Sequence, residues 1–221
     1  MTQVFQIAVV PYLASVDHDE ARELLKPVLR IIHATKGLLA HWQGEKHEEL
    51  RVLTWMLLWE DYASFEAFFT SAQYEQLTEI MKPILFGRRI QWDYRTFVRP
   101  EAIESLANVV LSPAIEVATT HVVDGKVHGY LNKGVVANGP IMADVTGFQG
   151  AFLAPTIENP NRICLLINWT SVEAHHKDFE KTPAFKECIS HLSEYYDQFV
   201  VPWHIVRNKL LFGNIPGQPE Q

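Results

Sequence analysis

Histidine is the residue type that most strongly suggests chemistry in this sequence. The chain contains ten histidines, and the imidazole ring is the side chain best suited to proton transfer near neutral pH. His121 and His204 fall in strand-like segments of the second half, and His41 falls in one of the first half. We predict His121 and His204 as general bases and His41 as a substrate contact. For each of them, the alternative is a hydrogen-bonded structural or surface histidine.

An amide at the end of a strand is the third candidate for catalysis. Asn168 directly precedes Trp169 at the end of a predicted strand. Successive side chains of a strand point to opposite faces, so Asn168 lies on the face that Trp169 does not occupy. There its amide could orient a substrate. The alternative is that Asn168 only caps the turn that follows.

The other candidates for the site are apolar, aromatic or cationic residues of predicted strands. Aromatic side chains can stack on a flat conjugated ligand, and an arginine that points inward can neutralise an enolate or phenolate. The predicted substrate contacts besides His41 are Trp55, Met56, Trp92, Tyr94, Cys164, Trp203 and Arg207. Core packing is the alternative for the aromatic residues, and a salt bridge at the rim is the alternative for the arginine.

Common cofactor and metal motifs are missing from the sequence. There is no H-E-x-x-H or C-x-x-C sequence, no glycine-rich phosphate loop before a helix, and no nucleophile elbow. We therefore expect no metal site and no cofactor, although a single histidine that binds haem stays an alternative.

An internal repeat sets the framework that must position these residues. Residues 57–74 consist of an apolar run that ends on Trp59, a short turn, and a helical pattern of aromatic residues. The same pattern returns in residues 167–185, where Trp169 takes the place of Trp59. The recurrence half a chain apart indicates two copies of one module.

The hydrophobic periodicity of each copy predicts the order β-α-β-β-α-β. We predict a first module at 1–99, a linker at 100–113, a second module at 114–212 and a flexible tail at 213–221. The copies differ in the region that should hold the first helix of the second module, because residues 128–143 are interrupted by glycine and proline. This irregular segment could be partly loop, or a mobile cover beside a ligand site.

These features resemble the dimeric α+β barrel superfamily, and within it the antibiotic-biosynthesis monooxygenase-like domains. The resemblance lies in a third strand that ends on Trp, and in small-residue and aromatic segments such as 71–74 and 182–185. It implies an α+β fold of two tandem ferredoxin-like modules that form an intramolecular barrel with helices outside. On that basis His175 and His176, on a predicted helix, are expected to have a surface or helix-packing role.

The resemblance also implies a range of activities. We expect a cofactor-independent enzyme of natural-product biosynthesis, a monooxygenase or a cyclase, that acts on a hydrophobic aromatic or polyketide-like molecule with a histidine base. The alternatives are a barrel that only binds small molecules or serves a stress response, and a haem-binding or haem-degrading enzyme.

Composition limits the partners. The formal net charge is −7, which disfavours nucleic acid and anionic membranes because both require a basic surface. Two cysteines and the absence of a signal-peptide pattern favour a reduced, cytoplasmic location. We expect a hydrophobic small-molecule substrate as the partner, no nucleic acid and no membrane, and a homodimer is possible.

Overall fold

A computed structural model describes residues 2–88 and 90–214, and for His18, Arg88, Trp92 and Asp93 it describes the backbone alone. The chain folds into two units. The first comprises Met1–Glu101 with Lys209–Gln221, and the second comprises Ala102–Asn208. In the described part of the chain, no helix combines the length and the apolar character required to cross a bilayer.

The first unit contains an antiparallel sheet with helices that begin at side-chain caps. Asp17 and Asp61 accept hydrogen bonds from backbone N–H groups three residues later, which satisfies donors that the first helical turn leaves open. The strand order is β4-β1-β3-β2. Its elements are β1 (Gln3–Pro11), α1 (His18–His33), β2 (Leu38–Lys46), β3 (Val52–Trp59), α2 (Tyr62–Phe69), α3 (Ala72–Met81) and β4 (Gln91–Val98).

The second unit repeats this arrangement with strand order β8-β5-β7-β6. All its strand pairs are antiparallel. Its elements are α4 (Ile103–Val110), β5 (Ala114–Val122), α5 (Val127–Asn132), α6 (Asn138–Ala143), β6 (Phe148–Pro155), β7 (Arg162–Trp169), α7 (Pro183–Leu192) and β8 (Tyr196–Gly213). The predicted α+β class and the tandem ferredoxin-like modules are confirmed.

The helical layer of the second unit contains two irregular turns. The segment between α5 and α6, Lys133–Ala137, is a π-helical turn, and so is Ala174–Phe179 before α7. A π-helical turn inserts an extra residue and shifts the side chains that follow it, and such turns are frequent at functional sites. The region 128–143 is thus helical, rather than the partial loop that its glycines and prolines suggested.

Two boundaries differ from the sequence expectation. The predicted linker 100–113 contains α4, and from Ala102 onward it belongs to the second unit, where its apolar residues Leu106, Val109 and Val110 are buried. At the other end, β8 continues to Gly213, and residues from Lys209 belong to the first unit. Most of the predicted tail, 215–221, lies outside the described residues.

In each unit, a glycine with positive φ lies against the segment that follows the third strand, and we call this feature the glycine corner. Gly147 adopts a φ of +90°, and a Cβ atom there would lie 2.6 Å from Cβ of Ala174. The carbonyl of Gly147 accepts a hydrogen bond of 2.8 Å from Thr170 N. Gly37 repeats both features in the first unit, with φ +86° and a bond from Glu60 N. This close approach fixes where the residues after Trp169 begin.

Candidate functional site

A cavity of about 290 Å³ lies within the second unit, between the sheet and its helical layer. The strand residues on its floor alternate along β5, β6 and β7, so they share the sheet face that also carries Trp169. These floor residues are Glu116, Ala118, Thr120, Ala151, Leu153, Leu165 and Ile167. The opposite wall is formed by α5, α6, α7 and the two π-helical turns, and includes Tyr130, Met142, Phe179 and Phe185. The cavity is therefore almost entirely apolar, with few polar groups.

Glu116 is a carboxyl group at the floor of this cavity. Its side chain is buried, and Oε2 accepts a 2.8 Å hydrogen bond from Nε1 of Trp169. Burial raises the pKa of Glu116 to about 7, and the Trp169 bond opposes that rise by stabilising the ionised form. The negative charge of Glu180 acts in the same direction as burial. A carboxyl group with this pKa can both take up and release a proton near neutral pH.

Two buried histidines, His175 and His204, lie next to Glu116. Nε2 of His175 lies 3.4 Å from Oε2 of Glu116, and Nδ1 of His175 lies 2.9 Å from Nε2 of His204. The His175 ring stacks on Trp169, with centroids 5.2 Å apart and planes 17° apart. The sheet register places His204 directly beside Glu116 on the neighbouring strand. Carboxyl group and imidazoles therefore form one contiguous set of proton donors and acceptors.

Glu180 and His176 extend this set toward solvent. Oε1 of Glu180 lies 3.6 Å from Nε2 of His175, and Oε2 lies 2.9 Å from Nδ1 of His176. The side chains of His176 and Glu180 are 41% and 33% exposed, whereas those of His175 and Glu116 are 3% and 6% exposed. A path of polar groups thus connects the cavity floor with the surface of the same unit.

The three histidines are also the residues here that could hold a metal ion. His175, His176 and His204 each offer one ring nitrogen, and these nitrogens lie within 4.8 Å of one another. In the structure His175 bonds to His204, and His176 bonds to Glu180. This hydrogen-bonded arrangement suits proton transfer.

The first unit carries the same geometry with different chemistry. Gln6 accepts a 3.3 Å hydrogen bond from Nε1 of Trp59, just as Glu116 does from Trp169. Sheet register makes Gln6 equivalent to Glu116 and Arg95 equivalent to His204. Phe65 is equivalent to His175, because each follows the tryptophan of its unit at the same distance in sequence. Around Trp59, three phenylalanine rings lie at centroid distances of 5.3 to 6.4 Å. An amide and a phenyl ring cannot exchange a proton near pH 7, so the acid–base set belongs to the second unit.

Among the three predicted catalytic residues, the structure brings His204 to this cluster. His121 is partly exposed near the end of β5, and it does not line the cavity. Asn168 is buried on the face opposite Trp169, where its Nδ2 donates to the carbonyl of Asn108 and so ties β7 to α4. The expectation that the working face of the sheet is the one opposite Trp169 is therefore not met by this cavity.

The predicted substrate contacts lie apart from the cavity of the second unit. Cys164 is buried in β7 on the Asn168 face, Trp203 is half-buried, and Arg207 is exposed with φ +52°. None of these three lines the cavity. The remaining candidates all belong to the first unit and are His41, Trp55, Met56, Tyr94 and Trp92, the last with its side chain outside the described residues.

His41 and Trp55 have structural partners in the first unit. Nδ1 of His41 lies 2.9 Å from Nε2 of His33, and burial lowers the pKa of His41 to about 3, which keeps the ring neutral. Trp55 donates from Nε1 to Oε1 of Gln43. Met56 and Tyr94 are buried as core residues.

Sequence reasoning did not single out Glu116, Glu180 or Tyr130. It expected a surface or helix-packing role for His175 and His176, whereas His175 is buried and lines the cavity. Glu116 could have been recognised from the sequence, because it is a charged residue inside an apolar strand and takes the position that Gln6 has in the first copy. Its pairing with a histidine depends on the π-helical turn at 174–179, which the helical periodicity does not predict.

Comparisons with known proteins agree with the fold described above. Residues 113–190 match the family model "Antibiotic biosynthesis monooxygenase". No curated protein matches the sequence.

Solved structures share the fold across nearly the whole chain. A proposed monooxygenase from Lactobacillus acidophilus NCFM has 16% identity and a TM-score of 0.59, over 95% of this chain and 96% of its own. An anthrone oxidase-like protein has 10% identity and a TM-score of 0.64, over 94% and 93%. Most residues of the cavity and of its acid–base cluster lie within segment 113–190, the part of the second unit that matches the antibiotic biosynthesis monooxygenase model.

Proposed function

We propose that the second unit is a cofactor-independent monooxygenase that removes a proton from a hydrophobic aromatic small molecule, of the kind made in natural-product biosynthesis. The observation that carries this proposal is the buried Glu116, in contact with His175 at the floor of an apolar cavity. The family match of residues 113–190 supports the reaction class.

The geometry assigns a role to each group. Ionised Glu116 takes the proton of an acidic C–H or phenolic O–H group, and His175 with His204 stabilises the charge and accepts the proton in turn. Trp169 holds both Glu116 and His175 in place by its hydrogen bond and its stacked ring. Glu180 and His176 return the proton to solvent.

The apolar wall favours reaction of the resulting carbanion with oxygen. Anthrone is a suitable test substrate because its ring CH₂ group is acidic and its frame is flat. In its oxidation the two C–H bonds of that group break and a C=O bond forms. One atom of O₂ enters the new carbonyl, and the other leaves as water with the two hydrogens. The substrate supplies all the electrons, so the reaction needs no additional reductant.

Oxygen uptake by the purified full-length protein tests the proposal. We expect one O₂ consumed per anthrone converted to anthraquinone, at a rate that the chelator EDTA does not change. Loss of activity with EDTA would instead indicate a metal at the three histidines. Conversion of a polyketide-like substrate without oxygen would indicate a cyclase, and a Soret band in active protein would indicate haem chemistry. Absence of oxygen uptake with anthrone and related phenolic polycycles would refute the oxygenase.

A further inference from the structure

A second polar group faces the same cavity, far from Glu116. Tyr130 of α5 is fully buried and lines the cavity, and so does Thr120 of β5. Oγ1 of Thr120 donates a 2.8 Å hydrogen bond to the hydroxyl of Tyr130. Because the Tyr130 oxygen accepts this bond, its own proton remains available to donate to a ligand. Burial raises the pKa of Tyr130 to about 12, so this hydroxyl stays protonated.

The two polar ends are separated by a fixed length of strand. Glu116 and Thr120 are four residues apart on β5 and point to the same face. At roughly 3.3 Å per residue, their backbone positions lie about 13 Å apart. Between them the floor is apolar, with Ala118 on β5 and Leu165 on β7.

The two ends belong to different parts of the core of this unit. Phe179 and Met142 pack with Trp169 near the Glu116 end, whereas Leu165 and Ala118 pack with Tyr130 at the other end. The volume of about 290 Å³ is roughly twice that of a cavity of about 150 Å³ that holds one benzene ring. Such a space suits a ligand of two to three fused rings.

We infer that the cavity selects flat, fused-ring molecules with an oxygen function at each end, one held by Glu116 and His175 and the other by Tyr130. This inference deepens the proposed function, on which it rests for the role of Glu116. Tyr130 acts as a determinant of specificity that donates a hydrogen bond to a carbonyl or phenolic oxygen. Thr120 orients the Tyr130 hydroxyl and thereby sets the direction of that bond.

Calorimetric titration with two probes tests this inference without turnover. 2,6-Dihydroxynaphthalene carries a hydroxyl group at each end, and 2-naphthol carries a single hydroxyl group. We expect the hydroxyl group of 2-naphthol to bind at the Glu116 end, because hydrogen bonds to a charged group are the stronger ones. Tyr130→Phe should weaken binding of the dihydroxy compound about fivefold or more, and binding of 2-naphthol less than twofold. Thr120→Val leaves the Tyr130 ring in place. It should also weaken binding of the dihydroxy compound more than binding of 2-naphthol, but to a smaller degree than Tyr130→Phe does. Tyr195→Phe, at a tyrosine of the same unit that lies under Lys126, is the matched control and should change neither affinity.

The outcomes separate the inference from the proposed function. Equal effects of Tyr130→Phe on both probes, or none on either, in folded protein would overturn the role of Tyr130. A Tyr130-dependent preference in a protein that consumes no oxygen would retain the two-ended site and remove the oxygenase.

Discussion

Glu116 accepts a 2.8 Å hydrogen bond from the indole N–H of Trp169, and the ring of Trp169 stacks on His175. The tryptophan that ends the third strand therefore positions both a carboxyl group and an imidazole. In the first unit Trp59 makes the same bond to Gln6 and packs on Phe65. The shared corner is a scaffold, and the residues attached to it decide whether acid–base chemistry is possible.

Replacement of Trp169 should affect both stability and activity. Trp169→Phe removes the bond to a buried acceptor, so we expect unfolding to become easier by about 1–3 kcal/mol and turnover to fall. Trp59→Phe is the matched control, because it should cost similar stability and leave turnover intact. Denaturant unfolding and oxygen uptake of both variants measure this. Equal activity loss in the two variants would contradict the division of roles between the units.

Glu116→Gln should change how stability depends on pH. The folded-state pKa of Glu116 is raised from 4.5 to about 7, so the folded protein holds this proton more tightly than the unfolded chain. The wild-type protein should therefore lose stability as pH rises from about 4.5 to 7, by roughly 1–3 kcal/mol. Glutamine is compatible with the site, because Gln6 occupies the equivalent one.

Thermal unfolding of the wild-type protein and of Glu116→Gln at pH 5 and pH 8 compares how the stability of each depends on pH. The variant should gain stability relative to wild type at the higher pH. Parallel pH curves for the two proteins would show that Glu116 does not carry a raised pKa.

His204 should be needed for turnover, whereas His121 should not. His204→Gln breaks the bond to His175. We expect turnover to fall by at least tenfold, which is a part of the roughly 10²–10⁴-fold that general acid–base catalysis supplies. His121→Gln changes a partly exposed strand residue and should leave the rate unchanged. Steady-state kinetics of both variants decide this prediction. A larger loss from His121→Gln would point to a site elsewhere.

Gly147→Ala should displace the segment that carries His175. Gly147 has a φ of +90°, and an added Cβ would lie only 2.6 Å from Cβ of Ala174, so there is no room for a methyl group. Gly125 has a similar φ of +78° with nothing within 4 Å, so Gly125→Ala should cost only the backbone strain of about 1–3 kcal/mol. Comparison of the two isolates the effect of the clash. We expect turnover to fall for Gly147→Ala alone; unchanged turnover in both variants would show that the corner does not position His175.

The repeat, the strands and the tryptophan corner could be predicted from sequence because they depend on local periodicity. Strand alternation also predicts that Asn168 and Trp169 lie on opposite faces of the sheet, as they do in the structure. The site was harder, since it combines Glu116 of β5, His175 of a π-helical turn and His204 of β8, which only the folded unit brings together. A helix periodicity of 3.6 would not indicate which side chains such a turn directs inward.

The closure of the two modules into a barrel stays a prediction. So does the role of the Asn168 face, on which Cys164, Leu166 and Asn168 of β7 are buried.

The most direct test compares initial rates of oxygen uptake with anthrone for Glu116→Gln and for Gln6→Ala, each changing the residue that accepts the tryptophan bond in one unit. We predict that Glu116→Gln lowers the rate by about a hundredfold or more in protein that stays folded, while Gln6→Ala keeps the wild-type rate at a temperature where it is folded. Wild-type activity in Glu116→Gln would contradict the central claim that the cavity of the second unit performs acid–base chemistry through Glu116.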